Sequence, residues 1–275
     1  MKKTIYTIMT AVTLMILILM GQQKTVLAAD TTIQTNKEYQ LQMVPGGSET
    51  YTFKMPKGGY IYYEVTLGDV VVDGEKKYEG GQIRSSISVK GKIIDQDSIG
   101  IYIGQSYESN ELAFAPGEKV KINLYDKDFG NYYSEKDKHY DIRLIVHYVK
   151  KSNFEKENNN SKKKNNSIKR NKASYGVIMS KEDVDYYCFK APKTGKYNIT
   201  ATIDNLRDYQ AFQVDVLKGG KPVKSIDINY LEGSKKTGKI SLKKGQKIYI
   251  KVSSPATTNI GFGMGGSVVY KLKVK

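Results

Sequence analysis

The chain has 275 residues, with 44 Lys and Arg against 28 Asp and Glu, a net charge of +16, two histidines and one cysteine. A single cysteine excludes an intrachain disulfide, and two histidines leave zinc-type ligand sets and histidine-based hydrolytic triads short of parts. The charge is uneven: residues 30–149 sum to −4, 150–173 to +7 and 174–275 to +10.

Residues 1–29 have the layout of a secretory signal peptide. Lys2 and Lys3 give a positive start, Ile5 to Met20 is apolar, and Val26-Leu27-Ala28-Ala29 supplies small residues for cleavage after Ala28 or Ala29. The alternative is an uncleaved anchor, against which stand the shortness of the run and its threonines. No cysteine lies at the cleavage end of the run, so no lipid anchor is expected. The protein is therefore expected to be secreted, extracellular or cell-surface associated. Without disulfides its stability must come from packing or from a bound ion.

Residues 30–149 form the first expected domain. Tyr51 and Phe53-Lys54-Met55-Pro56-Lys57-Gly58-Gly59 lead into the alternating run Ile61, Tyr63, Val65, Leu67. Later Pro116-Gly117-Glu118-Lys119 precedes Val120, Ile122 and Leu124, and Tyr140, Ile142, Leu144 and Val146 close the unit. Between Asp126 and Asp137 lies a polar loop that also holds Asp128, Phe129, Tyr132 and Tyr133. Residues 150–173 carry only two bulky apolar residues, Phe154 and Ile168, among Lys and Asn. Such a stretch buries too little to offset its ordering entropy, so a basic, disordered linker is expected there. Its run Lys162-Lys163-Lys164 reads either as a docking patch or as a solvated stretch.

Residues 174–275 repeat the first pattern. Tyr187 and Phe189-Lys190-Ala191-Pro192-Lys193-Thr194-Gly195 precede Tyr197, Ile199, Ala201 and Ile203; Lys244-Gly245-Gln246-Lys247 precedes Ile248, Ile250 and Val252; Tyr270, Leu272 and Val274 close the chain. A period of two marks strands with one buried face, and Gly- and Pro-containing turns separate them. The expected fold is all-β: two antiparallel β-sandwich (jelly-roll-like) domains in tandem. Tyrosines on such strands should pack their rings inward with the hydroxyl at the rim.

No catalytic set is visible. His147 alternates with an apolar strand face, His139 sits in a charged loop, and Cys188 lies between Tyr187 and Phe189 with no histidine nearby. Gly261-Phe262-Gly263-Met264-Gly265-Gly266 has no following helix and reads as a loop. Calcium is the one cofactor the residues suggest. Asp126 and Asp128 belong to an oxygen-rich loop that lacks the full calcium-loop spacing, and acids in such a loop are otherwise simply solvated. Phe129, Tyr132 and Tyr133 are candidate stacking residues for a polymer, or pack back on their own sandwich.

The run Asp183-Val184-Asp185-Tyr186-Tyr187-Cys188-Phe189, then Gly195-Lys196-Tyr197-Asn198-Ile199 and the closing strands, resembles the bacterial pre-peptidase C-terminal domain family. The first unit is similar but weaker, with Ser48 and Glu49 where the acidic pair would be. The resemblance implies a β-sandwich on a secreted bacterial protein, often beside a protease, and a fold shared with the calcium-binding, collagen-binding modules of clostridial collagenases. It implies calcium at Asp183 and Asp185. No protease accompanies the two units within these residues. The expected function is a secreted, non-catalytic binding or adhesion protein contacting an extracellular polymer, either a matrix protein or a glycan. The alternative is a structural or accessory envelope protein held to anionic wall polymer by the basic linker and second domain. Neither a small-molecule substrate nor nucleic acid is expected.

Overall fold

A computed structural model describes residues 30–44, 46–77, 80–126, 139–205, 210–231, 233–255 and 266–275. The expected signal segment lies outside them, as do Asp128, Phe129, Tyr132 and Tyr133. No described helix is long and apolar enough to cross a membrane.

The described chain is built from strands, with one 3-10 turn at Lys162–Lys164. In the first unit, β1 (Thr31–Thr32) runs parallel beside β3 (Ser48–Lys54), which continues to β9 (Lys119–Asp126), β6 (Gly80–Val89) and β7 (Lys92–Tyr102). The facing sheet has the order β2 (Glu38–Met43), β10 (His139–Lys150), β4 (Gly59–Val72) and β5 (Glu75–Lys77), with β8 (Ser106–Glu108) also on β4. The second unit repeats this order. One sheet runs β11 (Asn166–Ser167), β13 (Val184–Lys190), β18 (Lys247–Ser253), β15 (Ala211–Lys218) and β16 (Lys221–Asn229). The other runs β12 (Ala173–Ile178), β19 (Val268–Val274), β14 (Gly195–Ile203) and β17 (Lys235–Leu242).

The alternating runs supply the two cores. Ile61, Tyr63, Val65 and Leu67, with Ile142 and Leu144 beside them on β10, face Ile122 and Leu124 in one; Tyr197, Ile199 and Ala201 face Ile248, Ile250 and Val252 in the other. Each fully buried aliphatic side chain stabilises by roughly 1.5–3 kcal/mol, which is how a chain without disulfides holds two sandwiches. The matched turns are alike in detail. Gly117 donates its N–H to Met55 O and Gly245 to Ala191 O, both at 2.8 Å, with φ of 81° and 79° that suit glycine. The largest tyrosines depart from the expected rim position. Tyr63, Tyr140, Tyr187, Tyr197 and Tyr270 are buried through the ring, and Tyr63 and Tyr197 donate their hydroxyls to Ser85 Oγ and Lys193 O, each at 2.6 Å.

Gly59 and Gly195, which match in the repeat, do not have matched surroundings. A Cβ on Gly59 would strike the carbonyl oxygen of Val149, whereas one on Gly195 meets nothing within 4 Å. Gly59→Ala is expected to cost about 2 kcal/mol or more, and Gly195→Ala to fall within about 0.5 kcal/mol of the parent, in urea denaturation.

The stretch 150–173 corrects the expectation of a disordered linker. Phe154 bridges Tyr175, β11 pairs with β13, and Arg170 bridges Val274. Glu155, Asn159 and Ile168 are buried. Low apolar content does not leave this segment disordered, because backbone pairing and buried polar contacts hold it.

The two units also touch. Tyr60 and Ala113 of the first pack against Val177 and Val269 of the second. Glu111, 1% exposed, accepts from Ser267 Oγ and Asn205 Nδ2, each at 2.7 Å. Lys151 pairs with Asp204 at 2.7 Å beside this seam.

Candidate metal centre

Chain entry into the second unit sets up an acidic cluster. After Phe154 the segment Glu155-Lys156-Glu157-Asn158-Asn159-Asn160 crosses the open side between edge strand β12 and β13. Glu155 N–H donates to Tyr175 O at 2.9 Å, and Tyr186 N–H donates to Asn159 O at 3.1 Å, so the strap is tied to both strands. The Glu157–Asn158 peptide is cis. Gly176 gives the strap room, since a Cβ there would collide with the Tyr270 hydroxyl and the Glu155 carboxylate.

One carboxylate oxygen each from Glu155, Glu157 and Asp185 lies within 4.8 Å of the other two. Glu155 accepts from Val177 N–H at 2.7 Å, Asn159 Nδ2 at 2.9 Å and the Tyr270 hydroxyl at 2.9 Å. The Tyr270 hydroxyl also lies 2.7 Å from Asp185 Oδ2 and 3.0 Å from the Tyr187 hydroxyl. Asp183 accepts from Met179 N–H at 2.8 Å and Asn160 Nδ2 at 3.4 Å. Glu155, Asn159, Asp183 and Asp185 are all buried. Burial is the largest cause that pushes the carboxyls of Glu155, Glu157, Asp183 and Asp185 upward, Glu155 to about 7 and Glu157 to about 9. Repulsion between neighbouring carboxylates adds to it at Glu155, Glu157 and Asp185. Burial likewise raises the Tyr187 and Tyr270 hydroxyls.

Three oxygens in this cluster are buried without a hydrogen-bond donor: Glu157 Oε1, Asn159 Oδ1 and Asp185 Oδ1. An orphaned buried acceptor costs about 1–3 kcal/mol, more when charged, so three together need a shared partner. The donor set is carboxylate and amide oxygen, with no nitrogen or sulfur, which suits a hard cation and not zinc or copper. Calcium bonds oxygen at about 2.3–2.6 Å with flexible geometry, so oxygens across one ion stand about 5 Å apart, in keeping with this cluster. The residues present therefore fit calcium.

The sequence-derived candidates fall into distinct places. Asp185 lies in this cluster and Asp183 beside it, bonded to Met179 N–H and Asn160, while Glu155, Glu157 and Asn159, which complete it, fall in the stretch expected to be a linker. Asp126 is buried and accepts from Gly46 N–H at 2.9 Å, which gives it a turn-closing position. Lys162 is half-buried with its Nζ 6.0 Å from the Tyr249 ring centroid, and Lys163 and Lys164 are exposed on the 3-10 turn. His147 stacks on Tyr62 and lies 3.1 Å from Glu64. Cys188 is half-buried on β13.

No family profile matches the chain. No curated protein matches it either. Among solved structures, the pre-peptidase C-terminal domain of a collagenase from Bacillus anthracis aligns at 18% identity and TM-score 0.30, over 40% of this chain and 93% of that one. The CUB1-EGF-CUB2 region of human MASP-1/3 aligns at 11% identity and TM-score 0.21, over 87% of this chain and 100% of that one. A tandem pair of CBM22 domains from Paenibacillus barcinonensis aligns at 8% identity and TM-score 0.24, over 82% of each chain. At these scores the similarities carry no weight on ligand or activity.

Proposed function

We propose that the chain is an extracellular, non-catalytic binding protein of two β-sandwich modules, the second of which is completed by calcium and belongs with the pre-peptidase C-terminal type. The observation that carries this is the set of three orphaned oxygens on Glu157, Asn159 and Asp185, converging with Glu155 in a buried pocket. Calcium there would supply the positive charge that four buried carboxyls lack, and would pin the strap to β12 and β13. Glu155, Glu157, Asn159 and Asp185 are the residues that would hold it. The role is structural, since Glu155 and Asp185 are buried and bonded to the equally buried Tyr187 and Tyr270 hydroxyls, out of a substrate's reach. An exported module without a disulfide gains from such an ion what a disulfide would otherwise give.

The partner is an extracellular polymer, a matrix protein or a glycan. A pull-down of the full chain on collagen, mucin and peptidoglycan, with and without a chelator, tests this. Retention on one of them, weakened by chelation, is the expected result. Failure on all three would remove the binding reading. A second reading, an envelope protein held to anionic wall polymer, is favoured by Lys235, Lys239, Lys273 and Lys275 on one sheet of the second unit, which form no ion pair among the described residues.

A further inference from the structure

We propose that the outward face of the sheet β12-β19-β14-β17 is a docking surface for a linear polyol phosphodiester, an anionic polymer without bases or stacked sugar rings. This deepens the envelope reading and rests on it only for the polymer's being outside the cell.

The surface follows from register. On β19 the inward residues are Tyr270, Leu272 and Val274, so Lys271, Lys273 and Lys275 point outward. Lys271 is level with Thr202, which is level with Lys235; Lys273 is level with Thr200 and Thr237. Lys275 exchanges backbone hydrogen bonds with Asn198, which pairs with Lys239. Thr200, Thr202, Lys235, Lys271, Lys273 and Lys275 line a shallow concavity of about 240 Å³. Lysines at alternate residues of one strand stand about 6.8 Å apart, and neighbouring strands about 4.8 Å apart. The result is a regular cationic lattice interleaved with threonine hydroxyls, of which Thr200 and Thr237 bond each other at 3.0 Å.

Ordinary sheet chemistry does not account for it. Lysines on β17 protect an exposed edge. Those on β19 cannot serve that purpose, because β19 is flanked by β12 and β14. Neutralisation is also missing. Lys271 lies 3.5 Å from Asp204, but no ion pair forms at Lys235, Lys239, Lys273 or Lys275 among the described residues. The repeat supplies an internal comparison. On β10, the counterpart of β19, the outward positions are Asp141, Arg143, Ile145 and His147. There Arg143 reaches Glu64 at 3.5 Å and Glu38 at 3.9 Å, and His147 reaches Glu64 at 3.1 Å. One face of one fold is thus neutralised from within in the first unit and left cationic in the second.

The composition of the face selects the class of polymer. Lysine acts as a point charge, without the planar fork that arginine uses to read a carboxylate or base edge. Single-stranded nucleic acid needs aromatic platforms for its bases, and sugar rings stack on the same side chains. Among the described residues the one aromatic ring on this face, Tyr175, is flanked by the ammonium groups of Lys151 and Lys271, 5.4 and 6.0 Å from its centroid. What remains suited is a chain of evenly spaced phosphates joined by flexible polyol units, met by ammonium groups and threonine hydroxyls.

The test is titration of the full chain with a purified poly(glycerol phosphate), followed by calorimetry. Neutralising about four phosphates predicts an affinity that falls on the order of 50-fold between about 50 and 200 mM salt. K273E/K275E should lose on the order of tenfold or more in affinity. K190E/K247E, with the same charge change at the end of the opposite sheet, should stay within about threefold. Equal losses in the two variants, or heparin bound more tightly than poly(glycerol phosphate) at equal phosphate and sulfate concentration, would overturn the proposal. K273Q/K275Q relieves repulsion between neighbouring lysines, so it should melt no lower than the parent while still binding more weakly; unchanged affinity in this folded variant would also overturn it. The calcium response of the melting temperature, read in the same samples, reports on the metal centre alone. Its absence would count against that centre and not against the lysine face.

Discussion

Adding calcium to chelator-treated protein at pH 8 is expected to raise the melting temperature of the second unit by on the order of 10 °C, and at pH 5 by less than about 2 °C. A ligand at a hundred times its dissociation constant contributes about 2.7 kcal/mol, and one kcal/mol moves the midpoint of a domain this size by about 4–8 °C. The pH dependence follows from the direction of the shifts. Without the ion, Glu155 and Glu157 are raised from 4.5 to about 7 and about 9. Between pH 4.5 and those values the unfolded chain has released protons that the folded chain still holds, so the ion-free fold loses stability as pH rises through that window. Calcium displaces those protons and returns the stability at the alkaline end. Glu157→Gln should abolish most of the calcium response while folding normally in its absence, because the substitution keeps an oxygen donor and removes one charge. A melting temperature that ignores both calcium and pH in the parent protein would rule out the metal centre.

A charge at the seam between the units should have the second large effect. Val269 is fully buried and packs with Val177 against Tyr60 and Ala113. Val269→Asp places an unpaired carboxylate there, which costs on the order of 3–5 kcal/mol if the seam stays closed. Opening the seam avoids that cost by exposing the carboxylate to water. The expected result is a larger radius of gyration in small-angle scattering, with faster proteolysis near Lys150 to Asn153. Val269→Ala, which only removes volume, should keep the parent dimensions. Unchanged scattering in Val269→Asp, with its calcium response intact, would show that the two units are not held by this contact.

Much of the fold was legible because a half-buried strand writes its burial at every second residue. Ile61, Tyr63, Val65 and Leu67 could be placed on one face without any knowledge of their partners. Duplication helped further, since Phe53 with Pro56 and Phe189 with Pro192 mark the same turn twice. The strand order was not legible, because β3 pairs with β9 and β13 with β18 across long separations that alternation does not encode. The candidate metal centre was half legible. Asp183 and Asp185 drew notice through a family resemblance, whereas Glu155, Glu157 and Asn159 sit in a lysine- and asparagine-rich stretch whose composition argues for disorder. What orders that stretch is backbone pairing with β12 and β13 and the buried contacts of Glu155 and Asn159, which form only once those strands are in place. Composition registers apolar burial and has no term for those contacts.

The strap across β12 and β13 also decides where the second module begins. A fragment cut at Ser174 would keep most of its strands and its apolar core yet lack Glu155, Glu157 and Asn159, along with β11 and the buried Ile168. Such a fragment would retain the buried Asp185 without the strap residues that pack around it, and is expected to express poorly folded for a reason no strand count reveals. The smallest piece of this chain able to stand alone therefore starts ahead of Phe154, inside the stretch that a composition profile would discard as a spacer.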